Sequence, residues 1–166
     1  MPVLAVATVG LWLLARPNGD PKWRLASASA LAAATLALLV NQLIGKVWKR
    51  PRPFAAHPAA HVWGSRSHDP SFPSDHASAA FAIAFAIVLF DSVVGSLFLA
   101  AAFLIAAGRV VIGAHYPADI GAGVLVGLAS ALIAVRLARP LIAFLVRLIG
   151  RVTDPVLAPL WRAIGR

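Results

Sequence analysis

Long blocks of alanine, leucine, valine and isoleucine, with the charged residues gathered into the gaps between them, constrain this chain more than any other feature. A helix needs about 20 predominantly apolar residues to cross a bilayer, and blocks of that order recur along the sequence. The composition agrees: 60% of residues are hydrophobic and 13% charged, whereas a soluble domain carries about 25% charged residues. The expected fold class is therefore all-α, a polytopic transmembrane helix bundle forming one domain over residues 1–166.

The blocks predict five spans. Val3–Ala15 is apolar but short, and it lacks the basic start and cleavage site of a signal peptide. It reads as a retained first span, and its shortness suggests a start inside a longer natural helix. Leu25 to Val47 is the second span, Ser74–Phe90 the third, Val93 to Ala107 the fourth and Pro117 to Val135 the fifth. Pro117 suits a first helical turn because it lacks an N–H. Gly123 and Gly127 have the spacing of close helix packing. Pro140–Arg166 alternates apolar residues with Arg147, Arg151 and Arg162, as an interfacial amphipathic helix does. Trp23 and Trp48 fall where interface anchors are expected.

The net charge of +9 does not suggest nucleic acid. The basic residues lie between apolar runs rather than along one face, where they set orientation and meet lipid headgroups. Arg16, Lys22, Arg24, Arg136, Arg139 and the C-terminal arginines share one side, which the positive-inside rule assigns to the cytoplasm. Cysteine and glutamate are both absent, which excludes thiolate metal sites and a His-Glu-x-x-His zinc site.

Within this apolar background three ionisable residues stand at fixed spacing, Arg109, His115 and Asp119. Such groups in a membrane segment are a functional-site hypothesis by default. The span count brings two further stretches to the same surface, Arg50-Pro51-Arg52-Pro53 and Phe72-Pro73-Ser74-Asp75-His76. Together they suit phosphoryl transfer. Arg52 and Arg109 offer permanently charged forks for phosphate oxygens. Ser74 and the helix start behind it offer an O–H and free N–H groups. His115 can be a nucleophile if a carboxylate holds its other ring nitrogen, and Asp119 lies four residues on. His76 can protonate the leaving oxygen and then deprotonate water. With arginines supplying positive charge, no metal or other cofactor is required.

These stretches resemble the tripartite signature of the type 2 phosphatidic acid phosphatase superfamily, Lys-x6-Arg-Pro, Pro-Ser-Gly-His and Ser-Arg-x5-His-x3-Asp. The sequence is most similar to its bacitracin-resistance branch of undecaprenyl-diphosphate phosphatases. The likeness lies in Asn41-Gln42-Leu43-Ile44, Arg50 to Phe54, Ala56-His57, Ser71 to Ala77 and Gly113 to Asp119, and it covers about residues 39–125. It implies a vanadium-haloperoxidase-like core. It also implies a phosphohistidine on His115, Asp119 as its partner, His76 as acid and base, and Arg52, Ser74 and Arg109 as phosphate ligands. The implied reaction releases phosphate from undecaprenyl diphosphate at the outer face of a bacterial plasma membrane, with the lipid phosphate and the bilayer as partners. The same motifs would serve a phosphatidic acid or phosphatidylglycerol phosphate phosphatase, or a lipid phosphotransferase. A non-hydrolytic lipid-phosphate transporter is the reading of another class.

Three positions depart from the superfamily pattern. Asp75 replaces glycine, as in the bacitracin-resistance branch, and can be a helix cap or a substrate or proton contact. Gly108 stands where serine is usual. The first-motif lysine falls at Gly45, leaving Lys46 and Lys49 as alternatives for its role. Arg50 can serve the phosphate or lipid headgroups. His57, with His61 and His68, can join the site or remain a solvated loop residue.

Overall fold

The computed structural model describes residues 2–15, 22–57 and 69–164, and every regular element among them is helical. Seven α-helices follow in order: α1 (Pro2–Leu14), α2 (Lys22–Val47), α3 (Pro53–Ala56), α4 (Asp75–Val88), α5 (Ser92–Val111), α6 (Pro117–Leu132) and α7 (Arg139–Ile164). A π-helical segment, Ile133–Leu137, joins α6 to α7. His61, His68, Arg16 and Arg166 lie outside the described residues.

α4 is the axis of the bundle. Ala77, Ala79, Ala80, Phe81, Ala82, Ile83, Ala84, Ala86 and Ile87 are all buried, so the helix is enclosed on every side. It packs on α2, α5 and α6, while α1 and α7 lie against α2. Small side chains let the helices approach, the form that membrane packing takes where lipid is as apolar as the core. Gly127 shows how close they come: a Cβ there would lie 2.8 Å from both Ala82 N and Ser78 O. At Gly123 it would lie 2.9 Å from Ala77 Cβ and 3.2 Å from Ser74 O. The large apolar residues point outward instead, among them Val93, Leu97, Phe103 and Leu104 on α5 and Leu125 on α6. In water such a belt would be a liability; facing lipid it is the expected surface.

Among the described residues three helices are long and apolar enough to cross a membrane, Lys22–Val47, Ser92–Val111 and Pro117–Leu137 counted through the π segment. Pro2–Leu14 and Asp75–Val88 are apolar but shorter. The expected boundaries therefore shift. α4 stops at Val88 because Leu89 and Phe90 turn toward Asp91, whose carboxylate caps α5 through the N–H groups of Val93 and Val94. α5 runs on to Val111, four residues past the expected end, and carries Arg109 in its last turn. The long segment before α4 contains the short helix α3, started by Pro53 at its first turn.

Arg24, expected among the loop cations, is inside α2 and buried. Its Nη2 lies 2.6 Å from Asp154 Oδ1, and its Nε donates to Ala15 O at 3.0 Å. The guanidinium also sits over the rings of Trp12 and Trp161. The Trp161 indole N–H donates to Leu13 O at 2.8 Å, so Arg24 ties α1, α2 and α7 together. A cation with those partners is an internal pin rather than a headgroup contact. Trp48, expected at the interface, is exposed but stacks on Phe72 with ring centroids 4.9 Å apart.

Candidate active site

The three motifs meet at one end of the bundle, where α2 ends, α4 starts, α5 ends and α6 starts. Backbone bonds stitch them together: Ser71 N–H donates to Arg50 O at 2.8 Å, and Ser74 N–H to Asp119 O at 3.2 Å. Gly113, at φ 71°, turns the chain between α5 and α6 in a conformation that favours glycine. The N–H groups of Ala114 and His115 then both bond back to Arg109 O.

His115 is buried, and its two ring nitrogens have different neighbours. Nδ1 lies 2.8 Å from the carbonyl oxygen of Ser71. A carbonyl can only accept, so Nδ1 carries the hydrogen and Nε2 keeps its lone pair. Nε2 faces Arg52 Nη1 at 3.3 Å, a donor suited to that lone pair. Burial, and then the positive charges of Arg52 and Arg109, lower the pKa of His115 to about 4, against opposing pulls from the Ser71 carbonyl and Asp119. The ring is therefore neutral near pH 7.

Asp119 was expected to hold His115 directly, but its Oδ2 is 3.7 Å from Nδ1, beyond a hydrogen bond. The carboxylate is fully buried and engaged elsewhere. Oδ1 takes Arg50 Nη1 at 2.9 Å; Oδ2 takes the Ser71 hydroxyl and the Tyr116 N–H, the latter at 2.9 Å. Its place in the first turn of α6 explains the backbone bond, since a carboxylate there answers free N–H groups and the helix dipole. Ser71 thus joins the pair, touching His115 with its carbonyl and Asp119 with its hydroxyl. Arg50 also stacks on the Tyr116 ring at 4.2 Å, which holds its guanidinium against Asp119.

The expected phosphate ligands occupy the same mouth. Arg52 is anchored by Asp69 O at 2.9 Å and Ala114 O at 3.3 Å. Arg109 is half-buried, and its Nε is buried without a hydrogen-bond partner among the described residues. A guanidinium with an unused donor is suited to an incoming anion. Ser74 is buried and caps α4, its Oγ accepting Ala77 N–H at 3.4 Å. The cap is therefore Ser74 and not Asp75. Asp75 begins α4 and accepts from Asn41 Nδ2 at 2.8 Å, while Asn41 also bonds Ser78. His76 follows, partly exposed.

Lys46 and Lys49 are exposed and line a cavity of about 260 Å³ beside Asp75; Lys49 also borders the neighbouring one with Arg50 and Arg52. His57 is exposed at the end of α3, where its backbone N–H returns to Pro53 O. At Gly108 a Cβ would meet nothing within 4 Å, so packing does not demand the missing serine side chain. Ser71, Asn41 and Tyr116 stand in the quoted motifs, but their contacts were not foreseen.

The sequence model of the PAP2 superfamily matches residues 26–143, a stretch that contains every residue of this site. The chain belongs to the PAP2 superfamily. Among its PAP2 relatives is the bacitracin transport permease protein BcrC of Bacillus licheniformis, 36% identical over 132 residues, 80% of this chain. The match spans 63% of that protein's length. The undecaprenyl-diphosphatase BcrC of Bacillus subtilis (strain 168) is 29% identical over 147 residues, 87% of this chain and 74% of that protein. In fold the PAP2 chain is similar to the crystal structure of Aquifex aeolicus LpxE, with a TM-score of 0.59 and 22% identity. That similarity covers 82% of this chain and 87% of the LpxE chain.

Proposed function

We propose that this protein is a lipid phosphatase that hydrolyses undecaprenyl diphosphate to undecaprenyl phosphate and phosphate. The observation that carries the reading is the disposition of His115. Its Nδ1 hydrogen is held by the Ser71 carbonyl, and its unprotonated Nε2 faces the guanidinium of Arg52. The undecaprenyl-diphosphatase name of the Bacillus subtilis relative supports the choice of substrate.

In this mechanism the terminal phosphate is held by Arg52, Arg109 and the Ser74 hydroxyl. The His115 Nε2 lone pair attacks phosphorus, and the P–O bond to the lipid phosphate breaks. His76, protonated, gives its proton to the leaving oxygen. Asp119 and the Ser71 carbonyl stabilise the charge that develops on the His115 ring. Neutral His76 then takes a proton from water, whose oxygen attacks the phosphohistidine. The P–N bond breaks, phosphate leaves and His115 is restored. The loop cations Lys22, Arg136 and Arg139 at the opposite end support a site at the outer face of the plasma membrane, with the polyprenyl tail in lipid.

The Bacillus licheniformis relative is named a bacitracin transport permease, which supports a second reading of the transport class; for this chain the cargo in that reading is a phosphate-bearing lipid, moved without hydrolysis. One experiment separates the two: phosphate release from a panel of prenyl and glycerol lipid phosphates by the wild type and His115→Ala. We expect release by the wild type alone, unchanged by EDTA and inhibited by vanadate. Lipid flux with no release would favour transport. Turnover by His115→Ala, or strong loss in EDTA, would refute the mechanism.

A further inference from the structure

At the end of the bundle remote from His115, the start of α2, the end of α4, the π segment and the start of α7 enclose a cavity of about 650 Å³. Lys22, Arg136 and Arg139 supply its cations; Leu25, Leu89 and Phe90 are part of its apolar wall. Asp91 neutralises part of this charge, pairing with Lys22 at 3.0 Å through Oδ2 while its Oδ1 caps α5. Among the described residues no carboxylate lies in ion-pair contact with Arg136 or Arg139, and both arginines are exposed.

The π segment shapes this corner. Its closing bond, Ala138 N–H to Ile133 O, widens the turn and lets the chain pass from α6 to α7 with both arginines lining one cavity. Single π turns inside helices occur frequently at functional sites. The candidate active site uses none of these residues.

We propose that this cavity is a binding site for an anionic phospholipid, separate from the site that binds the substrate phosphate. Arg136 and Arg139 bind the headgroup phosphate through charge-assisted bonds, and the first methylenes of an acyl chain lie along Leu25, Leu89 and Phe90. Basic pockets between helix ends bind anionic headgroups on this principle. A bound lipid fastens α2, α4 and α7 where the described residues offer Arg136 and Arg139 no anion.

The test is native mass spectrometry of the purified full chain, titrated with phosphatidylglycerol or phosphatidylcholine. The wild type is expected to prefer phosphatidylglycerol. Arg136→Gln with Arg139→Gln is expected to weaken that lipid about 30-fold, from roughly fivefold per surface cation, and to leave phosphatidylcholine unchanged. Arg136→Lys with Arg139→Lys is expected to restore most of the preference. Leu25→Trp, which narrows the apolar wall of the cavity without altering charge, is expected to weaken phosphatidylglycerol as well. Helical circular dichroism of each variant guards against misfolding. The proposal is overturned if the two lipids bind equally, if the glutamine pair retains the preference, or if Leu25→Trp has no effect. Displacement of the lipid by equimolar inorganic phosphate would assign the cavity to free phosphate and overturn it too.

Discussion

Arg50 Nη1 lies 2.9 Å from Asp119 Oδ1, closer than the histidine that Asp119 was expected to orient. The first motif thereby supports the third, and His115 is positioned at one remove, through Asp119 and Ser71. Removing Arg50 leaves a buried carboxylate short of its cation, which destabilises by about 3–5 kcal/mol when a partner is deleted. Arg50 is partly exposed, so Arg50→Ala should fall at the low end, and adding Asp119→Asn should recover part of the loss. Thermal unfolding in detergent measures both; equal stability of Arg50→Ala and wild type would contradict this role.

Ser71→Ala keeps the carbonyl that holds His115 Nδ1 and deletes the hydroxyl that reaches Asp119. Turnover should fall by about tenfold, the scale of one hydrogen bond to a charged group, with phosphohistidine still formed. A complete loss of phosphoenzyme in Ser71→Ala would mean that the hydroxyl acts on substrate directly.

His76→Ala should lose about 10²–10⁴-fold on lipid substrates, the usual worth of a general acid or base. An aryl phosphate with a good leaving group needs less protonation, so the loss in the first step should be much smaller there. Similar losses in phosphohistidine formation on both substrates would remove His76 from the acid role.

The proton affinity of His115 sets a pH window. Its pKa in the fold is about 4, against 6.5 for an unperturbed ring. Between those values the unfolded chain binds more protons than the folded one, so this residue makes stability rise with pH there and fall toward acid. Histidine-labelled NMR, with the signal assigned through His115→Gln, should show titration near pH 4, and Arg52→Ala should move it upward. Titration near 6.5 in the wild type would show that the ring is not held as described.

Gly127→Ala should cost about 1–3 kcal/mol, the range for overpacked cores, because the new methyl meets backbone at Ala82 and Ser78. Activity should fall alongside stability, since α4 carries His76. An unchanged thermal midpoint would mean that α4 and α6 are less tightly opposed.

The apolar blocks made five helices and their parity legible, because hydropathy is a property of each segment by itself. The grouping of Arg52, Ser74, His76, Arg109 and His115 at one end followed from that parity alone. The contact of His115 with Ser71 was not legible: it uses a backbone carbonyl 44 positions away, and every residue has one. Arg24 read as a loop cation because its carboxylate, Asp154, lies on a helix whose docking no local pattern announces. The π segment was hidden for a similar reason, since its extra residue leaves the apolar character of Ile133–Leu137 unchanged.

α4 and α5 set out from the same turn at Asp91, but α4 has 14 residues and α5 has 20. At 1.5 Å per residue α4 stops about 9 Å short of its neighbour. His76 stands at that shorter end and Arg109 in the last turn of the longer helix, so the two residues are staggered along the bundle. In the proposed reaction a phosphate ester passes the guanidinium of Arg109 before it reaches His76, so the longer helix supplies the first electrostatic attraction and the shorter one the proton.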